Sequence, residues 1–278
     1  MRQILITLIN IGVILTSLPC YAQSSTRLFP TEHIYPHYLA DPTRVTFNAQ
    51  YMFIDNSSVN ESSERRTDIK IGAALLLYEA HYSNQPWQLV LIGGFHGQFD
   101  PNHSSDNIGW DGIYGLHLAT RINKAWAYRI GTKHISSHVG DEYAERTGRL
   151  RINYTREELR AGLAWTPDNP LTIYGDIARA FDMRNKELQK PWRVQFGTQY
   201  DSPTTFWNDQ IFWYSALDLS SYEENDWHRN LTIQLGFAAK SGMHTWRLGL
   251  ELYDGRTQLG EFFQDEDRYA SIGLWFDL

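Results

Sequence analysis

Cysteine is almost missing: Cys20 is the single one in 278 residues. If the chain is cleaved just beyond it, disulfide scaffolds, thiolate catalysis and cysteine-bound metals drop out together. A surplus of positive charge is missing too. The formal net charge is −7, from 25 Lys and Arg against 32 Asp and Glu, so the phosphate backbone of a nucleic acid is not an expected partner. Beyond the first 20 residues no apolar run has the length a membrane helix needs. Proline and glycine number only 10 and 20, which excludes collagen-like and low-complexity chains. Aromatic residues, in contrast, are plentiful. Ten Trp, 16 Tyr and 13 Phe are too many for a disordered chain, and the length suits one large domain or two small ones.

The N-terminus reads as an address. Arg2 precedes a short apolar run, Ile4 to Leu18, and Cys20-Tyr21-Ala22 offers a small residue for cleavage. Residues 1–22 are therefore expected to be a secretory signal peptide, leaving a mature chain of about 256 residues. Lipid attachment at Cys20 is the rival, and Pro19 in front of that cysteine argues against it.

Helical periodicity is nearly absent from the rest. Apolar residues alternate with polar or small ones over runs of about ten residues, the period of a strand. Leu231, Ile233, Leu235 and Phe237 alternate with Thr232, Gln234 and Gly236. Trp246, Leu248, Leu250 and Leu252 alternate with Arg247, Gly249 and Glu251. Runs near 45–54, 67–79, 86–98, 109–122, 125–138, 149–165, 170–183, 190–201, 209–220, 229–240, 244–254 and 268–278 predict about twelve strands. Short connections such as 121–124, 166–170 and 240–243 alternate with long polar ones at 56–66, 99–107, 139–148 and 254–267.

Two folds share this alternation. A soluble sandwich or lipocalin-like barrel turns the apolar face inward, and an outer-membrane barrel turns it to lipid. The export signal, the lack of cysteine, tryptophans near strand ends (Trp87, Trp126, Trp165, Trp192, Trp246) and a final alternating strand favour the second. The expected fold is all-β, a transmembrane antiparallel up-and-down barrel over residues 44–278. Residues 23–43, whose Pro- and aromatic-rich part is Arg27 to Pro42, precede it as a periplasmic arm or an inward-folded plug. Such a barrel places the chain in a Gram-negative outer membrane, with membrane lipids and the barrel assembly machinery as partners. Polar faces carrying Arg44, Lys70, Asp111, His117, Arg129, Lys133, Asp176, Arg193, Asp218, Arg247 and Glu251 would fill its narrow interior by ion pairing.

One patch has the residue types for chemistry: Lys133-His134-Ile135-Ser136-Ser137-His138-Val139-Gly140-Asp141-Glu142. Continuing the alternation of Trp126, Tyr128 and Ile130 puts Thr132, His134, Ser136 and His138 on the lipid side, near the outer rim. A hairpin centred between Tyr143 and Ala144 brings Asn153 opposite His134 on the same face. Ser136 would then be nucleophile, His134 general base and Asn153 the group that holds the imidazole. Asp141 and Glu142 at the loop are candidates to hold a divalent cation or to orient His138. The plainer alternative is a polar rim meeting lipid headgroups.

Two resemblances bear on these residues. Phe29-Pro30 to Asp41-Pro42, His134 to Glu142 and Arg151-Ile152-Asn153-Tyr154 resemble a family of bacterial secreted proteins called domain of unknown function 1207. His134-x-Ser136 on an outward face, with Asn153 on the following strand, resembles outer-membrane phospholipase A. That resemblance implies a twelve-stranded barrel with a lipid-facing serine–histidine–asparagine site, and calcium (Ca2+) as cofactor. The phospholipase has Asn-Gly after its serine, where this chain has Ser137-His138. Tyr154-Thr155-Arg156 echoes a further stretch with the asparagine displaced. Two functions stand open: a phospholipase- or esterase-type hydrolase, or a non-enzymatic barrel that is structural or a narrow passive channel lined by Arg129, Lys133, Arg193 and Arg247.

Overall fold

The computed structural model describes residues 26–277 apart from 62, 63, 84, 169 and 243. The expected signal peptide and Cys20 lie outside the described residues. The strands are β1 (Thr26–Leu28), β2 (Phe47–Ser57), β3 (Arg65–Tyr82), β4 (Gln85–Asp100), β5 (Asp106–Arg121), β6 (Trp126–Val139) and β7 (Thr155–Trp165). They continue with β8 (Leu171–Met183), β9 (Trp192–Phe206), β10 (Ile211–Tyr222), β11 (Arg229–Ser241), β12 (His244–Arg256) and β13 (Glu266–Asp277). Each of β2 to β13 pairs antiparallel with its sequence neighbours, and β13 pairs with β2. The result is a closed twelve-stranded up-and-down barrel, with the short β1 added to the far end of β3.

Alternation decides which way the wall faces. Leu248, Leu250 and Leu274 are 56%, 49% and 43% exposed, while Arg247 and Glu251, which flank the first two, are buried at 7% and 1%. The same inversion runs round the ring. Leu116, Leu159, Ile177, Phe196 and Leu235 face out, whereas Asp111, Lys133, Arg160, Arg193 and Gln234 face in. Such a surface is stable only against hydrocarbon, where a closed ring also leaves no strand edge unpaired. Aromatic residues mark the inner end of the band: Trp126 packs near Trp165 at 6.3 Å, and Trp246 near Phe276 at 4.4 Å.

The chain before β2 turns into the barrel. The Phe29 amide donates to Leu77 O (3.2 Å), and residues 34, 35 and 38–42 are then buried. Side-chain amides of the wall stand in for backbone partners along this plug. Gln88 accepts from the Ile34 amide (2.8 Å) and donates to Glu32 O (2.7 Å), and Gln199 accepts from the Leu39 amide (3.1 Å). Tyr38 stacks on Tyr174 of β8 with ring centres 3.6 Å apart, and the Arg129 guanidinium lies 4.5 Å from the Tyr38 ring centre. Lys133 donates to Thr43 O and Oγ1 at 3.3 and 3.1 Å. Each contact satisfies a backbone or charged group that would otherwise be stranded away from water.

The outer mouth is covered by its long loops. Val59, Ile108, Val139, Tyr143, Leu259 and Phe262 form one apolar cluster beneath them. Tyr143 belongs to helix α1 (Asp141–Thr147), which follows β6. Gly140 introduces that helix with its amide on Ile108 O (3.0 Å), and the backbone oxygen of Asn107 occupies the space a Cβ would need. Because the obstructing atom is backbone, Gly140→Ala is expected to displace α1 and cost about 1–3 kcal/mol, read as a lower urea midpoint. An unchanged midpoint would contradict that close approach.

Most strand ends fall within a few residues of the sequence expectation. The sixth expected strand, β7 in the structure, is the exception, beginning at Thr155 rather than near 149. Leu150, Ile152 and Tyr154 have strand-like spacing, but their segment serves the outer cap. The Glu261 carboxylate accepts from the Ile152 amide (2.8 Å) and the Tyr154 amide (2.7 Å).

Candidate functional site on the outward face of β6

β6 and β7 set the register of the patch. His134 lies opposite Tyr114 on β5 and Glu157 on β7, and Ser136 lies opposite Gly112 and Thr155. Lys133, Ile135, Ser137 and Val139 are buried on the inner face, so His134, Ser136 and His138 look outward, as their alternation requires. The site sits within a few residues of the outer end of β6.

Aromatic neighbours fix both imidazoles. The His134 ring stacks on Tyr114 with centres 4.2 Å apart, and the His138 ring on Trp110 at 4.3 Å. Between these two stacks, Gly112 has no side chain. A Cβ there would meet nothing nearer than 3.6 Å, so a notch stays open beside Ser136. Glycine serves here by leaving room for an approaching group.

Two polar contacts complete the geometry. His134 Nδ1 lies 2.6 Å from Glu157 Oε1, and Ser136 Oγ lies 3.3 Å from His138 Nε2. The serine thus stands between two imidazoles at equal spacing along one strand face. One imidazole is held by a carboxylate and the other touches the hydroxyl. The serine, imidazole and acid of a nucleophilic site are thus all on one face, with the hydroxyl on His138 and the carboxylate on His134.

Asn153 does not take the expected place. It precedes β7 with a φ of +53°, and the register sets Glu157 opposite His134. The hairpin is centred two residues further along than the sequence suggested, because α1 and the segment clamped by Glu261 lengthen it. Continuing the ladder, the Ser137 amide donates to Tyr154 O (2.9 Å), which brings Asn153 level with His138 instead. Glu157 was legible in principle, since it shares the odd-numbered outward phase of Leu159, Ala161 and Leu163. What the sequence withheld was the length of the turn.

The candidate cation ligands are drawn elsewhere. Asp141 Oδ1 pairs with Arg151, and Glu142 is exposed in the first turn of α1. Among the described residues no group of three or more His, Cys, Asp or Glu side chains converges as a metal site. Calcium prefers six to eight oxygen ligands, so Asp141 and Glu142 as arranged do not fit it.

Comparison with known proteins agrees with this architecture. The family model described as "Protein of unknown function (DUF1207)" matches residues 18–278. No curated protein matches. Among solved structures, outer membrane phospholipase A from Escherichia coli is similar at 12% identity, over 88% of this chain and 95% of that one, with a TM-score of 0.59. The Salmonella typhi outer membrane phospholipase dimer with bound calcium is similar at 12% identity, over 85% of this chain and 94% of that one, with a TM-score of 0.56. At such identities the likeness is one of fold.

Proposed function

The chain belongs to the family described as "Protein of unknown function (DUF1207)", and from the chemistry of its outward site we propose that it is an outer-membrane hydrolase of lipid acyl esters. The observation that carries this reading is the placement of Ser136. Its hydroxyl lies on the lipid-facing side, near the outer rim, between His138 at 3.3 Å and a second imidazole whose Nδ1 is held by Glu157 at 2.6 Å. A rim serving only as a polar border has no use for a carboxylate-oriented imidazole beside a hydroxyl in an open notch. The fold shared with a protein named as an outer-membrane phospholipase supports a lipid substrate.

In this reading Ser136 Oγ attacks the ester carbonyl carbon and a tetrahedral adduct forms. The hydroxyl turns from His138 toward His134 as substrate binds, and its proton passes to His134 Nε2, the nitrogen left open by the Glu157 contact. His134 then returns the proton to the departing alcohol oxygen as the ester C–O bond breaks. Water releases the fatty acid from Ser136 by the same steps in reverse order of roles. Glu157 fixes the tautomer and stabilises the imidazolium. His138 holds the hydroxyl before the substrate arrives, and hydrogen bonds of this kind tighten only once it is bound.

The test is fatty-acid release from phospholipid in mixed micelles by the purified full chain. Release by the wild type that disappears in Ser136→Ala supports the reading, and no release by either ends it. The channel alternative makes a separate prediction. A path past Arg129, Lys133, Arg193 and Arg247 would have to cross both the plug and the loop cluster at the outer mouth. Planar-bilayer recordings of the wild type are expected to show no sustained unit conductance. Steady open levels would favour the channel.

A further inference from the structure

Inside the barrel, on the opposite side of the wall from Ser136, a cavity lies between the plug and strands β3 to β7. Arg44 and Asp41 of the plug segment line it, with His117 of β5, Arg129 and Lys133 of β6, and Arg160 of β7. We propose that this cavity is a binding site for a small oxyanion of the phosphate or sulfate class.

Two independent observations lead there. First, donors without a protein partner gather around one space. Arg44 Nη1, Arg129 Nε and Arg160 Nε are each buried with no acceptor, and His117 Nε2 is buried beside them with no partner. Arg160, His117 and Lys133 are 4%, 5% and 4% exposed, so bulk water does not serve them. Buried donors of this kind are rare, and three guanidinium donors around one cavity call for a shared acceptor.

Second, the charges do not balance. Four fixed cations line the cavity against one lining carboxylate, Asp41. The carboxylates that reach them from outside are already shared. Asp176 receives Arg129 (3.0 Å) and Arg160 (3.1 Å) but also Arg193 (2.9 Å). Asp277 receives Arg44 (2.7 Å) and also Arg247. A trapped water would accept hydrogen bonds but leave the surplus positive charge in a poorly solvated interior. An oxyanion meets both needs, since its oxygens accept from several guanidiniums at once. Tyr35 and Tyr38 of the plug also line the cavity and restrict it to a compact anion rather than a headgroup with chains attached.

Titration calorimetry of the full chain in detergent with inorganic phosphate, at neutral pH and low salt, tests the site. The expected result is saturable binding at a single site with a raised melting temperature. Binding should weaken at least tenfold in Arg160→Gln and in Arg44→Gln. Folding of each variant is checked by its heat-dependent gel mobility. If Arg160→Gln does not fold, Arg44→Gln decides, because Asp277 keeps Arg247 in that variant. Ser136→Ala should bind phosphate like the wild type, which separates this site from the hydrolytic one. Absence of saturable binding by the wild type up to about 10 mM phosphate overturns the proposal. Equal affinity in wild type and both folded variants overturns it too, since the anion would then be bound elsewhere.

Discussion

Ser136→Ala is expected to lower phospholipid hydrolysis at least a thousandfold while leaving the barrel folded. The substitution removes one oxygen on the outer face and disturbs no buried contact, so heat-dependent gel mobility should match the wild type. Ser136 is the hydroxyl that reaches an imidazole, 3.3 Å from His138 Nε2, whereas Thr155 lies opposite it on the neighbouring strand β7. Removing a nucleophile leaves only what binding and orientation contribute, which is why the expected loss is large. The neighbouring variants separate the roles of the two histidines. His134→Ala should be nearly as damaging as Ser136→Ala, and Glu157→Gln should cost tenfold or more by releasing the imidazole from its acid. His138→Ala should cost less, because it removes a group that holds the hydroxyl and not the proton acceptor. If His138→Ala proves the severe variant and His134→Ala the mild one, the base is His138 and the carboxylate-held imidazole is structural.

These roles could be read only partly in the sequence, and the reason is physical. A strand period of two assigns each side chain to a face from its neighbours alone. That is why Leu248, Arg247 and Glu251, and equally His134 and Ser136, fall where their alternation places them. Register is a different quantity. It depends on how many residues the turn consumes, and the turn between β6 and β7 holds a helix with a Glu261-clamped segment behind it. Glu261 comes from a loop more than a hundred positions away, so no local pattern announces it. Asn153 and Glu157 share the outward phase, and the turn alone chose between them. The plug was undecided for the same reason. Its course depends on Gln88 and Gln199, polar wall residues whose use as backbone partners for Ile34 and Leu39 appears only once the ring is closed.

Asp176→Ala should be the most damaging single change to stability, with an expected cost of about 3–5 kcal/mol. The Asp176 carboxylate is the common acceptor for Arg129, Arg160 and Arg193, reached from β6, β7 and β9, at 2.9–3.1 Å. Removing it would leave three guanidiniums facing one another with their desolvation uncompensated. Arg193 would keep Gln195 (2.8 Å) and a longer contact to Glu158 (3.6 Å), whereas the Nη2 contacts of Arg129 and Arg160 would be lost. The plug is coupled to the same point, because Arg129 also faces the Tyr35 and Tyr38 rings. Loss of Asp176 should therefore loosen residues 34–41 as well as the wall, visible as faster proteolysis before global unfolding. Urea unfolding followed by tryptophan fluorescence measures the first effect and limited digestion the second. The double variant Asp176→Ala/Arg160→Met should recover part of the loss by removing one of the stranded cations. A single variant as stable as the wild type would mean that the guanidiniums find other partners, and that the ion-pair cluster is not what holds plug and wall together.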